Sequence, residues 1–547
     1  MNILKHLNWA IFITVMVNAA AMISPVINSG DAVTYASISQ HIVLSHDWAS
    51  LVLDGQAWLD KPHLPFWITA LFFKLGGVSA FTYILPGFLF HLIGAYYTYR
   101  VARLLYDKLT AVLAVLIYVS IFNLMDASIE VKAETYLVGQ IMPACYYWLR
   151  YDARFRVKYL LLGALFTAMA VMTKGIFTLF TISGGLVCLW LYQKQWTKLF
   201  SAKWLAALIL SLLFVTPELV ALHLQFNQHP ANPGQPVSAF RFFFWDSQFG
   251  RFFNTGPIQN RNSHPLYFVP VFLWAFLPWT IVFFAAAYDS IRRFGRADSP
   301  GRAAFVFLFG AFSLTFLMFS ASRFQFDYYI DIIFPFAAII CARYLTNSNV
   351  GLRLFVAQTG LACMLVLLAI ALAVYVLNFI LLTAIAAALI VFLYYLYAIR
   401  AESRNFRSIF HSVFAINLLY MFLVLMTASA FTHYSVAHNA AKLFGRRSAM
   451  PIYVYQMPEV ARELALYSSA PCYAVDNAVY LSQIKGTYHL LVRHDQTEQL
   501  HLEPPRFSRI AEMDLVVHKT GTFNKLLRLA GGTWPLETID FLQSVPR

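Results

Sequence analysis

A polar stretch near the amino terminus carries residue types that could do chemistry. Residues 30–67 read GDAVTYASISQHIVLSHDWASLVLDGQAWLDKPHLPFW and directly follow the first long apolar run. Asp31 and Tyr35 lie four positions apart, and Asp60 precedes Lys61 in an Asp-Lys-Pro sequence. A carboxylate can act as a general base, and a lysine can neutralise a phosphate. The stretch therefore combines groups suited to proton transfer with groups suited to anion binding.

Further polar segments of the same kind interrupt the apolar chain downstream. They contain Glu134 in VKAETYLV, Lys174 in MTKGIF, Asp246 and Arg251 in FRFFFWDSQFGRFFN, His264 in NSHPLYF, and Arg323 and Tyr329 in SRFQFDYY. Several cations that converge with carboxylates would suit a phosphate or diphosphate substrate, because lysine and arginine stabilise the leaving-group charge. The sequence has no GxxxxGK[ST] loop and no GxGxxG motif after a strand, so no nucleotide cofactor is expected.

The composition places these residues in a polytopic membrane protein. Of the 547 residues, 60% are hydrophobic and only 12% are charged, whereas soluble domains carry about 25% charged residues. The mean hydropathy is +0.62. The formal net charge is +14, but the basic residues follow the membrane topology, which argues against nucleic acid as a partner. The five cysteines are too scattered for a disulfide framework or a zinc pattern.

Thirteen apolar runs have about the length of a membrane-spanning helix. They lie near residues 8–26, 80–99, 109–126, 133–149, 159–173, 176–193, 204–222, 266–288, 303–320, 326–345, 354–375, 378–399 and 408–431. With a cytoplasmic amino terminus, 20 of the 40 lysines and arginines fall in inner loops, 8 in outer loops and 12 in the carboxy-terminal tail. This asymmetry agrees with the positive-inside rule and puts the polar segments outside. We expect the first run to be a retained anchor rather than a cleaved signal peptide.

The sequence changes character after about residue 432. Short alternating stretches in MPIYVYQ, PCYAVDNAVYL, TYHLLVRH and MDLVVHK predict strands, and MPEVARELALYSS has the spacing of an amphipathic helix. We therefore expect two domains. Residues 1–432 would form a transmembrane domain with an outer first loop at 27–79 and an outer fourth loop at 223–265. Residues 433–547 would form a small extracytoplasmic α/β domain.

The ordered motifs resemble a known family. Asp31-x-x-x-Tyr35 followed by SHDWASLVLDGQAWLDKPHLPFW resembles the first outer loop of the bacterial lipid A aminoarabinose transferases and of the wider protein mannosyltransferase-like group of polyprenyl-phosphate-dependent glycosyltransferases. VKAET, MTKG, FFFWDSQFGRF with HPLYF, and SRFQFDYYIDIIFP resemble later segments of the family in the same order. The resemblance covers about residues 8–345. It implies a C-type glycosyltransferase fold, with about thirteen transmembrane helices, outer juxtamembrane helices and an outer carboxy-terminal domain.

The resemblance also implies an activity and a location. It implies inverting transfer of one sugar from a polyprenyl-phosphate donor to an acceptor at the outer leaflet of the bacterial inner membrane. The acceptor would be lipid A or a related glycolipid, with a protein hydroxyl as the next choice. The expected protein is a monomer among membrane lipids, with its active site and carboxy-terminal domain on the periplasmic side.

Site residues follow from the resemblance position by position. Asp31 matches the first-loop catalytic aspartate, and Glu134 matches the second acidic position. The donor phosphate and sugar would meet Tyr35, Lys61, Lys174, Asp246, Arg251, Arg323 and Tyr329, whereas Asp60 and His264 match a pair that can hold a divalent metal in some relatives. Ala32 and Thr34 stand where the family has glutamate and arginine. The change at position 34 removes one phosphate-binding group.

Plainer structural alternatives exist for these residues. Asp31 and Glu134 could simply cap helices, Lys174 could snorkel to the membrane interface, and the arginines and the tryptophans of residues 30–67 could be interfacial anchors. For the whole chain, the alternatives are a lipid or glycan transporter without covalent chemistry and a glycan-binding scaffold led by the carboxy-terminal region. Charges that gather in outer loops, and the lack of an evident inverted repeat, favour the transferase.

Overall fold

The computed structural model describes residues 3–23, 27, 30–228, 238–255, 259–260, 264–294, 301–347, 351–376, 403–444, 450–500, 507–515 and 537–544. Most of these residues are helical. The helices up to residue 228 are α1 (Ile3–Ala20), α2 (Gly30–Ser45), α3 (Leu64–Gly76), α4 (Ala80–Leu105), α5 (Lys108–Val119), α6 (Phe122–Glu130), α7 (Ala133–Ala153), α8 (Val157–Lys174), α9 (Thr178–Tyr192), α10 (Ala202–Phe214) and α11 (Thr216–Gln228).

The later helices fall into a second membrane group and a carboxy-terminal group. The membrane group comprises α12 (Ala239–Arg241), α13 (Phe249–Phe253), α14 (Phe268–Ala275), α15 (Thr280–Phe294), α16 (Arg302–Ala321), α17 (Phe334–Asn347), α18 (Leu352–Val376) and α19 (Arg404–Tyr434). A π-helical turn at Phe242–Asp246 separates α12 from α13, and a 3-10 turn at Asp327–Ile333 precedes α17. The carboxy-terminal group comprises α20 (Val436–Leu443), α21 (Pro458–Tyr467), α22 (Ala478–Gln483) and α23 (His494–Gln499).

The helices make this chain a multi-pass membrane protein. In the part of the chain that the structure describes, eight helices are long and apolar enough to span a membrane, or up to ten if each of two bent pairs counts as one span. The bent pairs are α5 with α6, at 59°, and α14 with α15, at 113°. The expected run at 176–193 forms a helix of only 15 residues, and the run at 378–399 lies outside the described residues. The count of thirteen therefore stays a prediction.

Residues 30–76, expected outside the membrane and called the first outer stretch, are folded rather than a simple loop. Helix α2 is followed by a two-stranded hairpin, β1 (Val52–Leu53) and β2 (Gln56–Ala57), and then by the short apolar helix α3. Asp54 and Gly55 connect the strands with φ of 53° and 77°. A two-residue Asp-Gly loop with both φ values positive matches the twist of paired strands. The hairpin thus leads directly to the Asp60-Lys61 segment that enters α3.

The three tryptophans of this stretch pack inside the protein as well as near its edge. Trp58 lies edge-on to Tyr35, with ring centroids 5.9 Å apart, and Phe66 contacts both rings at 5.1 and 5.3 Å. The indole N–H of Trp67 donates to the carbonyl oxygen of Trp48 at 2.7 Å. These side chains join α2 to α3, so they hold the polar segment in place.

A five-stranded mixed sheet follows the last membrane helix. Its strands are β3 (Ile452–Tyr455), β4 (Cys472–Val475), β5 (His489–Arg493), β6 (Phe507–Leu515) and β7 (Glu537–Ser544), in the order β4-β3-β5-β7-β6. Strand β3 pairs in parallel with β4 and β5, while β7 pairs antiparallel with β5 and β6. The strands expected at residues 450–456, 471–481 and 487–494 and the amphipathic helix at 457–469 are all present. Residues 513–515 of MDLVVHK end β6, and its remaining residues lie outside the described part.

The carboxy-terminal region contacts the first outer stretch through helix α21. The backbone N–H of Ile27 donates to the hydroxyl oxygen of Tyr467 at 2.8 Å, and the side-chain amide of Gln40 donates to the carbonyl oxygen of Ala465 at 2.9 Å. Arg462 lies 3.6 Å from the carboxylate of Asp54. Helix α21 therefore lies beside α2, the helix that begins with Gly30 and Asp31.

Candidate active site

Five of the residues expected at the site line one cleft. They are Asp60, Lys61, Lys174, Arg251 and Tyr329. The cleft encloses about 900 Å3 of space, counting the part that opens to solvent. Most of its remaining lining is apolar, including Leu51, Trp58, Leu59, Phe177, Leu222, Phe242, Phe243, Phe252, Met318, Phe319, Phe324 and Ile332. A cationic end thus meets a largely apolar wall.

Asp60 joins two of the cations. Its carboxylate accepts hydrogen bonds from Lys61 and from Arg251, each at 2.6 Å, and Arg251 also donates to the Asp60 carbonyl oxygen. Lys61 is almost fully buried, with 7% of its surface exposed. Burial opposes the charged form of Asp60, but the charges and hydrogen bonds of Lys61 and Arg251 outweigh burial and lower its pKa to about 2. Asp60 is therefore ionised and holds the two cations near each other.

Lys174 forms the third cationic position, and Glu134 is its partner. The lysine ammonium donates to the Glu134 carboxylate and lies 3.5 Å from the centre of the Tyr329 ring. Glu134 is fully buried, and its second carboxylate oxygen has no hydrogen-bond partner among the described residues. The ammonium thus meets the negative face of the Tyr329 ring in a cation–π contact.

Gly175 explains why Lys174 ends its helix at this point. Gly175 has φ of +94°, and a β-carbon there would lie 2.1 to 2.3 Å from the side-chain amide of Gln248. Only glycine avoids both the strained backbone and the clash. The chain can thus turn immediately after the lysine while Gln248 covers the turn.

Asp31 lies close to these groups but on a different surface. It occupies the first turn of α2, where a carboxylate is favoured by the helix dipole. Although the side chain retains contact with solvent, burial by the surrounding protein raises its pKa, and the charges of Lys132 and Lys61 partly oppose that increase. Asp31 lines a second cavity with Gly30, Val33, Thr34, Glu459, Arg462 and Glu463. Asp31 therefore lines that cavity and lies within reach of the charge of Lys61, a cation of the cleft.

Tyr35 lies one helical turn after Asp31 and is buried. Burial raises the pKa of its phenol well above the usual value, and the nearby charges of Asp60 and Asp31 raise it further. The phenol is neutral at ordinary pH, so it can donate a hydrogen bond. Its ring packs on Trp58 and Phe66, as described above.

Six of the eleven expected residues do not line the cleft. Asp31, Tyr35 and Glu134 are described above, and the other three are Asp246, Arg323 and His264. Asp246 lies 3.6 Å from the exposed Arg241. The side chain of Arg323 is exposed, while its backbone N–H donates to the carbonyl oxygen of Phe252 at 2.9 Å. His264 is exposed, and its ring Nδ1 accepts from the backbone N–H of Leu266 at 3.1 Å. Arg323 and His264 thus lie at the protein surface, Asp246 is partly exposed, and none of the three lines the cleft.

The described residues do not fit a metal held by Asp60 and His264. The Asp60 carboxylate is already bonded to two cationic side chains, Lys61 and Arg251. A zinc ion is generally held by three or four protein ligands, more than these two residues provide. Across the described ranges, the one group of three potential ligands is His494, Glu512 and Asp540, in the carboxy-terminal region. Arg509 contacts both carboxylates of that group at 2.5 and 3.3 Å, so a cation is already present there.

The sequence interpretation gave no role to two groups of polar side chains near the site. His63 and Glu218 are both fully buried and line the cleft. The backbone N–H of His63 donates to Glu218 at 3.0 Å, and ring Nδ1 lies 2.9 Å from the other carboxylate oxygen. A single glutamate inside the apolar run at 204–222 was the available signal, because charges at membrane depth are costly without a partner.

The second missed group is Lys132 with its neighbours. Its ammonium lies 3.1 Å from Glu130 and 4.4 Å from the centre of the Tyr328 ring. Burial opposes the charged form, but Glu130, Asp327 and Asp126 outweigh burial and raise the pKa of Lys132. Lys132 is thus a permanent positive charge near Asp31. The sequence places it in the same segment as Glu134, and the motif comparison gave it no role.

Comparisons with known proteins show which proteins this chain is similar to. Residues 60–220 match the model of the dolichyl-phosphate-mannose-protein mannosyltransferase family. The chain is 29% identical over 359 residues to an undecaprenyl phosphate-alpha-4-amino-4-deoxy-L-arabinose arabinosyl transferase of Edwardsiella ictaluri, which covers 62% of this chain and 61% of that protein. It is 25% identical over 319 residues to a second such transferase, from Proteus mirabilis. That match covers 57% of this chain and 54% of the Proteus mirabilis protein. The chain thus spans between about half and three fifths of these curated relatives.

A solved structure agrees over nearly the whole chain. The crystal structure of ArnT from Cupriavidus metallidurans bound to undecaprenyl phosphate matches with a TM-score of 0.72, over 98% of both chains, at 16% sequence identity. The match to its apo state has a TM-score of 0.70 over the same shares. At this identity the likeness concerns the fold. Together with the sequence matches, it confirms the family resemblance that the motifs indicate.

Proposed function

Because the chain resembles the aminoarabinose transferase and protein mannosyltransferase-like family of polyprenyl-phosphate-dependent membrane glycosyltransferases, we propose that it is an inverting glycosyltransferase. It moves one sugar from a polyprenyl-phosphate donor to an envelope acceptor. The observation that carries this proposal is the cleft in which Lys61, Lys174 and Arg251 meet an apolar wall. A lipid-linked phosphate has the same two parts, an anionic head and a hydrocarbon tail.

The cleft has a charge that suits the donor phosphate. The three cations are paired with two carboxylates, Asp60 and Glu134. Within this group the cations outnumber the carboxylates by one, while the Glu218 carboxylate, which also lines the cleft, is bonded to His63. Arginine and lysine bind phosphate oxygens through charge-assisted hydrogen bonds, which are shorter and stronger than neutral ones. The same cations stabilise the polyprenyl phosphate when it becomes the leaving group, because its charge increases as the bond to the sugar breaks.

Asp31 is the proposed base. It deprotonates or orients the acceptor oxygen, which attacks C1 of the sugar from the face opposite the phosphate. The new C1–O bond forms as the bond between C1 and the phosphate oxygen breaks, so the configuration at C1 inverts. A raised pKa brings a carboxylate closer to the working pH and makes it a better base. Glu134 is the second acidic side chain of the catalytic site in this proposal. Its contact with Lys174 holds that lysine toward the cleft.

The remaining site residues have supporting roles in the proposal. Tyr35 and Tyr329 contact the sugar or phosphate beside the cations. Asp246 and Arg323 act at the outer surface near the mouth of the cleft, where a bound donor or acceptor can reach them. No step of this mechanism uses a divalent metal at Asp60 and His264, and none uses a nucleotide.

The proposal includes a topology. Thirteen helices span the bacterial inner membrane, the amino terminus is cytoplasmic, and the active site faces the periplasm. Residues 1–432 form the transmembrane glycosyltransferase domain, with outer segments at 27–79 and 223–265, and residues 433–547 form a periplasmic α/β domain. The protein acts as a monomer. The distribution of lysines and arginines supports this orientation.

The acceptor is lipid A or a related envelope glycolipid, and a protein hydroxyl is the next choice. The curated relatives from Edwardsiella ictaluri and Proteus mirabilis bear names that specify an undecaprenyl-phosphate aminoarabinose donor. In this chain Ala32 and Thr34 replace the family's glutamate and arginine. The sugar and the acceptor must therefore be determined on this protein itself.

Mass spectrometry of envelope lipids and glycoproteins tests the proposal. A strain that lacks the gene is compared with the same strain carrying the wild-type gene or the Asp31→Asn variant. A product heavier by one sugar should appear with the wild type alone, at equal protein levels. Movement of a lipid across liposomes that contain the protein, without any covalent product, would instead identify a transporter.

A further inference from the structure

A second cavity, distinct from the cationic cleft, is lined by Asp31. It encloses about 620 Å3 of space, counting the part that opens to solvent, and lies between the first turn of α2 and helix α21. Gly30, Asp31, Val33 and Thr34 form one wall, and Glu459, Arg462 and Glu463 form the other. An ordered water takes up about 30 Å3. The cavity can therefore admit a group much larger than a water molecule.

The two walls of this cavity are held together by specific contacts. The hydrogen bonds from Ile27 to Tyr467 and from Gln40 to Ala465 fix α21 against α2. Glu463 is 5% exposed and accepts a hydrogen bond from the Ser435 hydroxyl at 3.1 Å, which orients its carboxylate. The cavity is thus a built feature of the interface between the first outer stretch and the carboxy-terminal region.

The charge of this cavity differs from that of the cleft. Among the described residues, three carboxylates line it, Asp31, Glu459 and Glu463, and Arg462 is the one cation, 3.6 Å from the further carboxylate of Asp54. A phosphate placed here would meet an excess of negative charge, which costs free energy through like-charge repulsion. Carboxylates accept hydrogen bonds and arginine donates them, so sugar hydroxyl groups match the same lining.

Thr34 supports this distinction. It lines the cavity three positions after Asp31 and carries a neutral hydroxyl group. A guanidinium at this point would have offered a bidentate partner for a phosphate. The threonine hydroxyl can donate and accept one hydrogen bond to a neutral group instead.

The chemistry of the base leads to the same conclusion. A phosphate oxygen already carries negative charge near neutral pH, so it needs no base to become a nucleophile. A sugar hydroxyl must lose its proton as the new bond forms, and a carboxylate within reach can take that proton. Asp31 is the one residue that both lines this cavity and lies near the cations Lys61 and Lys132.

We propose that this cavity is the acceptor site and that the group it receives is a hydroxyl of a neutral sugar ring. This inference rests on the proposed glycosyltransferase function. The acceptor O–H gives its proton to the Asp31 carboxylate, its oxygen forms the bond to C1, and the donor phosphate leaves into the cationic cleft. The product is an O-glycoside. Glu459, Glu463 and Arg462 hold the other hydroxyl groups of the acceptor ring.

The product linkage tests the inference chemically. Envelope lipids are extracted from a deletion strain and from the same strain complemented with the wild-type gene, and the sugar-bearing product is identified by its mass. It is then treated with mild acid, which cleaves a glycosyl phosphate far faster than an O-glycoside. We expect the added sugar to survive this treatment. Release of the sugar with exposure of a phosphate monoester would overturn the inference, while a missing mass difference would overturn the glycosyltransferase function itself.

Variants of Glu459 test the site within the full-length protein. Glu459 is exposed, so its replacement should not disturb folding. In membranes carrying the envelope lipids of the deletion strain, Glu459→Gln should lower transfer several-fold and Glu459→Lys about tenfold or more, through a higher half-saturating lipid concentration. Undecaprenyl phosphate should bind both variants as it binds the wild type. Faster transfer by Glu459→Lys would show that the acceptor is an anion and would overturn the proposal.

Arg462 has a matched control. Arg462→Gln removes both the ion pair with Asp54 and the donor inside the cavity, whereas Asp54→Asn removes only the ion pair, since Asp54 does not line the cavity. Arg462→Gln should lower transfer about tenfold, and Asp54→Asn should lower it less than about twofold. Equal losses in the two variants would mean that Arg462 acts only by fixing the hairpin, and would remove it from the acceptor site.

Discussion

Replacing Asp60 by asparagine should weaken the free protein and strengthen its binding of phosphate. Asp60 holds Lys61 and Arg251 at 2.6 Å each, and its pKa of about 2 lies almost two units below the usual 3.8. At about 1.4 kcal/mol per unit this difference corresponds to roughly 2.5 kcal/mol. Because 31% of the Asp60 side chain is exposed, solvent screening reduces the expected loss of stability to about 1 to 2 kcal/mol.

The sign of this effect can be followed with pH. The folded-state pKa of Asp60 is depressed, so its stabilising contribution is fully present above the unfolded value of 3.8. It is lost as pH falls from about 4 toward about 2. The difference in stability between the wild type and Asp60→Asn should therefore be constant at neutral pH and should shrink in strong acid.

Phosphate binding should change in the opposite direction. Without the Asp60 carboxylate, Lys61 and Arg251 lose a competing anion, and an added phosphate takes its place. The dissociation constant for undecaprenyl phosphate should fall by up to about tenfold, which corresponds to about 1.4 kcal/mol. Thermal unfolding in one detergent, with and without undecaprenyl phosphate, measures both effects.

Asp289→Asn is the matched control for Asp60→Asn. Asp289 lies 2.9 Å from Arg293 in an exposed pair within α15, and such pairs contribute little. Its stability and its binding of undecaprenyl phosphate should equal those of the wild type. The reasoning is refuted if Asp60→Asn is as stable as this control, or if it binds undecaprenyl phosphate more weakly than the wild type does.

Three further predictions concern the cleft and the base. Lys174→Met should weaken undecaprenyl phosphate binding by about tenfold, since a charged hydrogen bond contributes about 1.5 to 3 kcal/mol. The control is Lys198→Met, which breaks the ion pair with Asp152 at 2.9 Å. In a binding titration this control should have the same affinity as the wild type. Gly175→Ala should lower the free energy of unfolding by about 1 to 3 kcal/mol, because of the positive φ and the clash with Gln248. Gly360→Ala is the control: it lies in a helix, its added β-carbon would have no atom within 4 Å, and it should raise the free energy of unfolding by about 0.5 to 1 kcal/mol. Unfolding midpoints that rank the two variants the other way would contradict this account. The transfer rate should fall as pH decreases through the raised pKa of Asp31, because only the ionised carboxylate acts as a base, and a rate–pH profile that stays flat down to the ordinary aspartate range would exclude Asp31 from that role.

Motifs predicted several local backbone features near the site, because short spacings constrain local structure. Lys174 and Gly175 form a helix end that needs glycine, and their identity alone indicates a lysine at a sharp turn. Asp54 and Gly55 form the hairpin loop that an Asp-Gly pair favours. The alternating stretches after residue 432 predicted strands at the right places for the same reason, although their order in the sheet depends on packing.

The pairing of the charges could not be predicted, because each pair joins distant segments. Asp60 and Arg251 are 191 positions apart, and Glu134 and Lys174 are 40 apart. A motif also does not show in which direction a side chain points. Arg323 occupies the expected position in the sequence, but its backbone contacts Phe252 while its side chain points to the surface.

The sequence interpretation also did not identify site residues that lie outside the motifs. The buried pair of His63 and Glu218 lines the cleft, yet one member lies in a membrane helix and the other in the first outer stretch. A lone glutamate in an apolar run indicates that a partner exists, but it does not say which residue that partner is. Only the packing of α11 against the entry to α3 identifies it.

Transfer by the purified protein most directly tests whether Asp31 beside the cationic cleft performs glycosyl transfer. Wild type and Asp31→Asn are reconstituted at equal amounts with the envelope lipids of the deletion strain, which supply both donor and acceptor. Mass spectrometry then follows the product that is heavier by one sugar, together with the polyprenyl phosphate released. The wild type should form both, and Asp31→Asn should form neither while it still binds undecaprenyl phosphate. Full transfer by Asp31→Asn, or no product with the wild type, would contradict the proposed function.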